Sequence, residues 1–411
     1  MNTGRPTDPT ALAFARGALT RRDLLRRAGV AGGVLAGSGL LAACGSGGSS
    51  SGSSAGGTAA AAPSVGTTPA DMAPSWTFSN WPLYIDTEGK TKHPSLDQFD
   101  KAFTTATKYL EDIEDNESFF GQVKAQLEAG QDIKRDIVVL TDWMAGKWIL
   151  LGYAEKLDKS ALPNVTANQL PAWQGRPIDK GDEYLVPWQS GMTGIGYNPK
   201  LTGGKLTSVK DLWNPEFKGK VTLLTEMRDT LGLVMLSMGI DPANCTVDDA
   251  QAAVDEIRPQ VESGQVRRFT GNDYAGDLAK GNVVACMAWS GDIVQLQFDN
   301  PDLEFLIPDD GAMLWTDNML IPKNAANPQN AHAWMNFYYD PKIAAEVEAW
   351  VNYICPIKGA KEALIAKDPE IADNPLIFPS DADLANLHVF KLLTPQEDLE
   401  FNKLFQDLTG A

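Results

Sequence analysis

The stretch Asp136-Ile137-Val138-Val139-Leu140 decides the fold class of this 411-residue chain. A short apolar run of this kind is typical of a parallel β-strand that is buried on both faces. Before it, strand-like segments at residues 76–81 and 109–113 alternate with helical patterns at residues 95–107 and 119–129. This alternation predicts a doubly wound α/β lobe, in which ligands bind at the carboxyl ends of the strands.

A second lobe is predicted after residues 187–198, which are extended, rich in glycine and without helical periodicity. We interpret this segment as a strand that crosses between lobes, and residues 316–322 as a second crossing. The remaining patterns predict strands at residues 221–225, 283–289 and 303–307, and helices at residues 144–151, 230–238, 247–263, 331–337, 341–350 and 395–408. The sequence therefore predicts the fold class α/β, with two lobes joined by crossing strands and a ligand cleft between them.

The composition excludes several classes of function. The formal net charge is −18, which argues against nucleic acid as a partner because binding phosphates requires clustered Lys and Arg. The chain has three His and neither an HExxH nor a CxxC motif, so we expect no metal site and no cofactor. The most distinctive feature of the composition is its 11 Trp residues, which occur together with 9 Tyr and 15 Phe residues.

The first 43 residues are typical of an export signal. Several arginines precede an apolar run at residues 28–43, which is shorter than the roughly 20 residues that span a bilayer. Arg21-Arg22 has the twin-arginine layout of the signal that exports folded proteins. Leu41-Ala42-Ala43-Cys44 resembles a lipobox, so the mature protein is expected to begin at a diacylated Cys44 on the outer face of the cytoplasmic membrane.

The predicted mature chain is more acidic than its precursor. Removing residues 1–43 takes away six basic and two acidic residues and leaves 29 basic and 51 acidic ones, a net charge of −22. Residues 44–74 are mostly Gly, Ser, Ala, Thr and Pro, and they predict a flexible tether because they cannot bury enough apolar surface to fold. Cys245, Cys286 and Cys355 allow at most one disulfide, and we interpret them as buried thiols.

The stretch Asn80-Trp81-Pro82-Leu83-Tyr84 resembles the N-terminal strand of the spermidine/putrescine-binding proteins, which are receptors of polyamine ABC transporters. Further segments agree with this family in the same order, at residues 136–141, 155–158, 184–188, 211–220, 287–291, 314–317 and 353–356. The similarity covers roughly residues 75–411, although the motif at 211–220 is shared by the wider solute-binding superfamily.

The resemblance implies a type II-like periplasmic-binding-protein fold, in which two α/β lobes close over the ligand. The division it implies is a signal peptide at 1–43, a lipidated Cys44 with its tether at 44–74, lobe 1 at 75–192 plus 317–361, and lobe 2 at 193–316 plus 362–411. It also implies a polyamine ligand, permease subunits as partners, and a monomer that is membrane-associated only through its lipid.

The resemblance further implies which side chains contact the ligand, since in this family rings enclose the methylene chain and carboxylates pair with the ammonium groups. The aromatic positions carried over by local motif are Trp81, Tyr84, Trp143, Trp289, Trp315 and Tyr353. The acidic positions are Glu226, Asp229 and Asp317, and Thr141 stands where a small hydroxyl residue is expected.

The chain departs from the usual family pattern at three of these positions. Trp143 replaces the usual tyrosine and still supplies a ring face. Glu226 and Asp229 reverse the usual order of Asp and Glu, which keeps the charge and changes the reach of each side chain by one methylene. We expect this swap to bear on which polyamine fits.

Physical chemistry favours the same residue types. A polyamine is a flexible alkyl chain with several positive charges, and each ammonium placed over an aromatic ring gains roughly 0.5–2 kcal/mol. Carboxylates are needed as well, because an unpaired ammonium that is buried away from water is costly.

Several of these residues also have a purely structural interpretation. Glu226 and Asp229 lie where a helix begins, and acidic side chains there stabilise the helix dipole. Asp142 is interpreted as the cap of the helix that starts at Met144, and an additional anion of the ligand site is the alternative. Trp188 is left open between the hinge and the floor of the cleft. The tryptophans assigned to packing are Trp213, Trp334 and Trp350.

The leading hypothesis is a non-catalytic lipoprotein that captures a polyamine and presents it to an ABC permease. A second keeps the fold but changes the ligand to another organic cation or an amine-bearing metabolite. A third hypothesis is a secreted enzyme, but the sequence lacks a GxSxG elbow, a His–nucleophile pair and metal-ligand spacing. We expect His93, His332 and His388 to fall in polar or helical stretches of the surface. A fourth is a sensor or surface scaffold that binds ligand without a transporter.

Overall fold

The computed structural model describes residues 72–89, 91–113 and 115–410. The predicted signal peptide, the predicted lipidation site at Cys44 and nearly all of the predicted tether lie outside the described residues. Within the described ranges, no helix combines the length and the apolar character needed to cross a membrane.

The described residues form a ten-stranded mixed sheet. Its strands are β1 (Trp76–Asn80), β2 (Thr107–Glu111), β3 (Ile137–Thr141), β4 (Val186–Tyr197), β5 (Val221–Leu224), β6 (Val266–Thr270), β7 (Ala285–Trp289), β8 (Glu304–Leu306), β9 (Ala312–Leu320) and β10 (Leu387–His388). Their order is β2-β1-β3-β9-β4-β7-β5-β6, with β8 beside β4 and β10 beside β9. Two sets of three parallel strands therefore flank the antiparallel strands β9 and β4.

Helices connect and cover these strands. In the first half and the centre of the chain they are α1 (Pro94–Phe103), α2 (Asn116–Glu128), α3 (Asp142–Leu151), α4 (Pro163–Asn168), α5 (Pro199–Thr202), α6 (Met227–Ser237), α7 (Val247–Glu262), α8 (Tyr274–Ala279) and α9 (Ser290–Asp299). Towards the C-terminus they are α10 (Pro328–Tyr338), α11 (Pro341–Val351), α12 (Ala360–Ile365), α13 (Pro369–Ala372), α14 (Asp381–Leu384) and α15 (Pro395–Thr409).

The predicted crossing strands are present, and they hold the two halves of the molecule together. The first part of β4 pairs with β9, and its last part pairs with β7 of the other half. The second crossing, predicted at residues 316–322, is β9 and begins four residues earlier. The predicted α/β architecture with two joined lobes is therefore confirmed.

One helix boundary was predicted wrongly, for a local reason. The pattern predicted a helix through residue 107, but α1 ends at Phe103 because Thr104 adopts a left-handed φ of 54°. The carboxylate of Asp100 then accepts hydrogen bonds from the backbone N–H and the hydroxyl of Thr107, at 2.8 and 2.6 Å. Thr107 is thereby fixed as the first residue of β2.

Large apolar clusters fill both halves. Trp188, left open from the sequence, is fully buried in the cluster that contains Phe78 and Trp334, and its indole N–H donates to the carbonyl of Tyr84 at 3.2 Å. The other half packs around α6 and β7, and Phe401 of α15 is buried there. Trp188 and Trp334 are therefore core residues.

The prediction for the three cysteines is confirmed, whereas the prediction for one histidine is wrong. Cys245, Cys286 and Cys355 are free and buried, as predicted. His332 was expected at the surface, but it is only 9% exposed. Its Nε2 accepts the backbone N–H of Asp158 at 2.8 Å, and burial lowers its pKa. His332 therefore joins two segments of the fold.

Candidate ligand-binding cleft

A cavity of about 1430 Å³ opens where the parallel strands of both halves end. Residues at or just after the carboxyl ends of β1, β3, β5 and β7 line it, together with the middle of β9. This is the edge at which α/β sheets bind ligands. All ten residues that the resemblance implied line this one cavity: Trp81, Tyr84, Thr141, Trp143, Glu226, Asp229, Trp289, Trp315, Asp317 and Tyr353. Their contact with a ligand stays a prediction.

Asp317 is a cavity carboxylate that is held by two hydroxyl groups. Its Oδ1 accepts a hydrogen bond from the hydroxyl of Thr141 at 2.7 Å, and its Oδ2 accepts one from the hydroxyl of Tyr84 at 3.0 Å. Burial raises the pKa of Asp317 to about 7, against the lowering effect of these two hydrogen bonds. Because both donors are neutral, the charge of an ionised Asp317 is left for a cation to balance.

Three aromatic rings stand beside this carboxylate. The Tyr353 ring lies 5.5 Å from the Trp315 ring and 5.5 Å, edge to face, from the Tyr84 ring. Two glycines make room for them. A Cβ on Gly191 would lie 2.3 Å from the indole of Trp315, and one on Gly291 would lie 2.6 Å from the ring of Tyr353. The backbone of β4 and the start of α9 are therefore shaped around these rings.

The second carboxylate, Asp229, lies in the first turn of α6 and is 7% exposed. Its Oδ2 accepts the indole N–H of Trp289 at 2.7 Å. Burial raises the pKa of Asp229 to about 6. Its charge is also the last and smallest of the causes that affect the pKa of Asp317, and it raises that pKa.

Glu226 combines the structural and the functional interpretation. It is the N-cap of α6, and its carboxylate accepts the backbone N–H of Arg228 at 3.3 Å. It also lines the cavity, and burial raises its pKa to about 7 while the Arg228 guanidinium opposes the rise. The same guanidinium lies 3.7 Å above the centre of the Trp143 ring.

Asp292 is a cavity residue that the sequence did not single out. It is 7% exposed, and its Oδ1 accepts the hydroxyl of Tyr353 at 3.1 Å. Its Oδ2 accepts hydrogen bonds from Tyr274 at 2.8 Å and from Asn272 at 2.7 Å. Asp292 lies three residues after Trp289, in the first turn of α9. This spacing is the sequence signal that could have identified it as a site residue.

Two further residues, Asp142 and Trp350, differ from the roles predicted from the sequence. Asp142 does not cap α3, since Thr141 is the N-cap and Asp142 instead binds the guanidinium of Arg176 at 2.6 Å and the amide of Asn318 at 2.8 Å. Trp350 was assigned to packing alone, but it lines the cavity.

The cavity is strongly acidic. The acidic residues that line it are Glu111, Asp115, Asp142, Glu226, Asp229, Asp273, Asp292, Asp299, Asp317 and Asp368. Its cationic residues are Arg176, Arg228 and Lys391, and each is within 2.7 Å of a carboxylate. Such a lining attracts cations and repels anions.

The fold and this cleft define a class of protein, the two-lobed receptor that captures a small solute between its lobes. The chain belongs to the bacterial extracellular solute-binding protein family, whose model matches residues 96–379. Membership implies an extracytoplasmic location.

Two relatives of this chain carry names that state which ligand they bind. The spermidine/putrescine-binding periplasmic protein 1 of Haemophilus influenzae is 31% identical over 297 residues, which cover 71% of this chain and 79% of the relative. The putrescine-binding periplasmic protein SpuD of Pseudomonas aeruginosa is 30% identical over 333 residues, 76% of this chain and 85% of the relative. These relatives confirm the resemblance found in the local motifs.

Among solved structures, the spermidine/putrescine ABC transporter substrate-binding protein PotD from Streptococcus pneumoniae superposes with a TM-score of 0.70. The two chains are 24% identical, and the match covers 82% of this chain and 98% of PotD. This likeness shows that both share the fold.

Proposed function

We propose that this protein is the substrate-binding component of an ABC importer and that it captures a polyamine of the spermidine/putrescine class. The proposal depends on one observation: two buried carboxylates and three aromatic rings line the same cavity. The carboxylates are those of Asp317 and Asp229, which accept hydrogen bonds from neutral donors. The rings are those of Trp289, Trp315 and Tyr353. Rings match the methylene chain, and carboxylates match the ammonium groups.

In this role the protein is non-catalytic and uses no cofactor. Its two lobes have the boundaries predicted from the sequence, and they close on the ligand by a hinge motion at β4 and β9. A lipid on Cys44 tethers the monomer to the outer face of the cytoplasmic membrane, where the permease recognises the closed form.

The cavity volume also favours a second candidate, a receptor for a larger organic cation. At about 1430 Å³ the cleft exceeds the 300–1,000 Å³ of typical ligand pockets, so a larger organic cation would also fit in this conformation. A receptor that binds such a cation, or one that signals without a transporter, would have the same fold.

Substitution of the cleft residues tests the proposed site. We expect Trp289→Ala, Trp315→Ala and Asp317→Asn each to weaken polyamine binding at least tenfold in calorimetric titrations, with unchanged circular dichroism. Asp309→Asn, which removes an exposed carboxylate outside the cavity, is the matched control and should change the affinity less than twofold. Wild-type affinity in all three cleft variants would place the binding site elsewhere.

A further inference from the structure

Asn116 lines the cavity but is not one of the proposed ligand contacts. It is the first residue of α2, it is 4% exposed, and its side-chain amide forms two hydrogen bonds with Thr141. The amide Oδ1 accepts the backbone N–H of Thr141 at 3.3 Å, and the amide Nδ2 donates to the Thr141 hydroxyl at 2.9 Å. Because a backbone N–H can only donate, the amide oxygen must face it, and the amide NH₂ group must face the hydroxyl.

This contact determines where the hydrogen of the Thr141 hydroxyl points. A hydroxyl has one hydrogen, and its oxygen already accepts a hydrogen bond from Asn116, so the hydrogen is directed to the other neighbour. That neighbour is the Oδ1 of Asp317 at 2.7 Å, and Thr141 and Asp317 are paired residues of β3 and β9. The three residues therefore form a directed chain of hydrogen bonds that ends on a carboxylate of the cavity.

The Thr141 hydroxyl is not used to cap its own helix. Thr141 is the N-cap of α3, a position at which a threonine side chain usually accepts a backbone N–H of the first turn. Within the described ranges, its side chain forms no such capping bond. The hydroxyl is therefore committed to the carboxylate of Asp317 and not to the helix.

We propose that Asn116 is a positioning residue for ligand binding: by directing the Thr141 hydroxyl towards Asp317, it holds this carboxylate in the ionised state that pairs with an ammonium group. The inference rests on the proposed polyamine function and adds a residue to that site. Without the amide, the hydroxyl is free to rotate, and its oxygen can accept a hydrogen bond from a protonated Asp317. Loss of a donor to the ionised form disfavours that form.

The surroundings of Asp317 determine how this role affects a pH profile. The titratable and charged groups around it are Tyr84 after β1, Asp142 of α3 with its partner Arg176, and Asp229 of α6. Burial raises the pKa of Asp317 to about 7, and the hydrogen bond from Thr141 is the largest of the effects that lower it. Loss of this directed hydrogen bond raises the pKa further, so affinity should fall at acidic pH and recover at alkaline pH.

Calorimetric titrations of the full-length protein at pH 6 and pH 8.5 test the inference, with whichever of putrescine and spermidine the wild type binds more tightly. We expect Asn116→Leu to weaken binding about tenfold at pH 6 and less than about twofold at pH 8.5. Thr141→Ser, which keeps a hydroxyl, should stay within about threefold of the wild type at both pH values.

Asn330→Leu is the matched control. The amide of Asn330 is fully buried and has the same pair of partners, a backbone N–H and a threonine hydroxyl. Its Oδ1 accepts the N–H of Ala73 at 2.9 Å, and its Nδ2 donates to the hydroxyl of Thr105 at 3.1 Å. Asn330 does not line the cavity, so this variant should keep the affinity within about twofold of the wild type at both pH values.

A double-mutant cycle separates positioning from a purely structural role. In a Thr141→Val background, Asn116→Leu should cause less than about twofold further loss at pH 6, because no hydroxyl is left to direct. If the leucine variant does not fold, Asn116→Asp replaces it in the cycle, since its added charge acts in both backgrounds whereas the direction of the hydroxyl matters in only one. The loss should then be at least about threefold larger when Thr141 is present.

Two outcomes would overturn the inference. One is an additive cycle, in which the substitution of Asn116 costs the same affinity with and without the Thr141 hydroxyl. The other is a loss of affinity in Asn116→Leu that is equal at pH 6 and pH 8.5. A wild type that binds neither putrescine nor spermidine would instead refute the proposed function.

Discussion

Burial raises the pKa of Asp317 and of Glu226 to about 7 and that of Asp229 to about 6, so each carboxyl holds a proton at a pH where an exposed one would not. Asp317 and Asp229 accept hydrogen bonds from neutral groups, which orient a carboxylate without cancelling its charge. A bound ammonium would supply the missing positive charge and drive ionisation, because an opposite charge nearby favours the charged form.

Polyamine affinity should therefore rise with pH. Between pH 5 and 8 the carboxyls lose their protons while a primary amine stays charged, since its pKa is about 10. We expect binding to strengthen at least tenfold over this range and to release protons. Titration in buffers with different ionisation enthalpies measures the release, and Asp317→Asn should reduce the pH dependence. Affinity independent of pH would show that these carboxyls do not contact the ligand.

Glu348 is a buried acid outside the cavity, on α11. It is fully buried, and neither of its carboxylate oxygens has a hydrogen-bond partner among the described residues, although Gln189 and Cys355 lie near it. Burial raises its pKa to about 8. Its protonated form therefore stabilises the fold below pH 4.5, and this contribution is lost as the pH rises to about 8.

Glu348→Gln should remove that loss, because the amide has the shape of the protonated acid and no charge. We expect the variant to gain stability relative to the wild type between pH 5 and pH 8, by up to about 1.4 kcal/mol per pH unit. Urea denaturation at both pH values measures the gain. A variant that is equally destabilised at both pH values would mean that Glu348 makes a specific contact that Gln cannot replace.

At the scale of the elements, the crossing strand β4 both joins the halves and shapes the cleft. Its Gly191 faces the indole of Trp315 so closely that any side chain would collide with the ring. The indole N–H of Trp315 in turn donates to Thr193 of the same strand at 3.1 Å. The glycine-rich sequence of this strand therefore reflects ring packing as well as its extended conformation.

Gly191→Ala should displace Trp315 and weaken ligand binding at least tenfold. Gly271→Ala is the matched control, because Gly271 also lines the cavity but has no atom within 4 Å of an added Cβ. Titrations and the fluorescence of the tryptophans report the two effects. Equal affinities of the two variants would contradict the proposed position of Trp315 in the site.

The order of the elements and most of the cleft were predictable, because the candidate residues follow strands whose carboxyl ends meet at one edge. Contacts between distant segments were not. The stacking of Arg228 on Trp143 joins residues 85 positions apart, and no local pattern signals it. Trp350 and Asp142 were misassigned for the same reason, since a helical pattern alone does not reveal what lies opposite.

At the scale of the whole molecule, two α/β halves meet at a cleft whose lining is acidic in a chain of net charge −18. This field attracts a polycation over a distance of about 8–10 Å at physiological salt, and the rings and carboxylates then hold it. The cleft is therefore expected to capture a polyamine.

Calorimetric titration of the full-length protein with putrescine, spermidine, spermine and arginine tests this claim most directly. We predict micromolar or tighter binding of a polyamine and no heat with arginine, whose carboxylate the acidic cleft would repel. A folded sample, free of carried-over ligand, that gives no heat with any polyamine would contradict the claim and assign the cleft to a different cation.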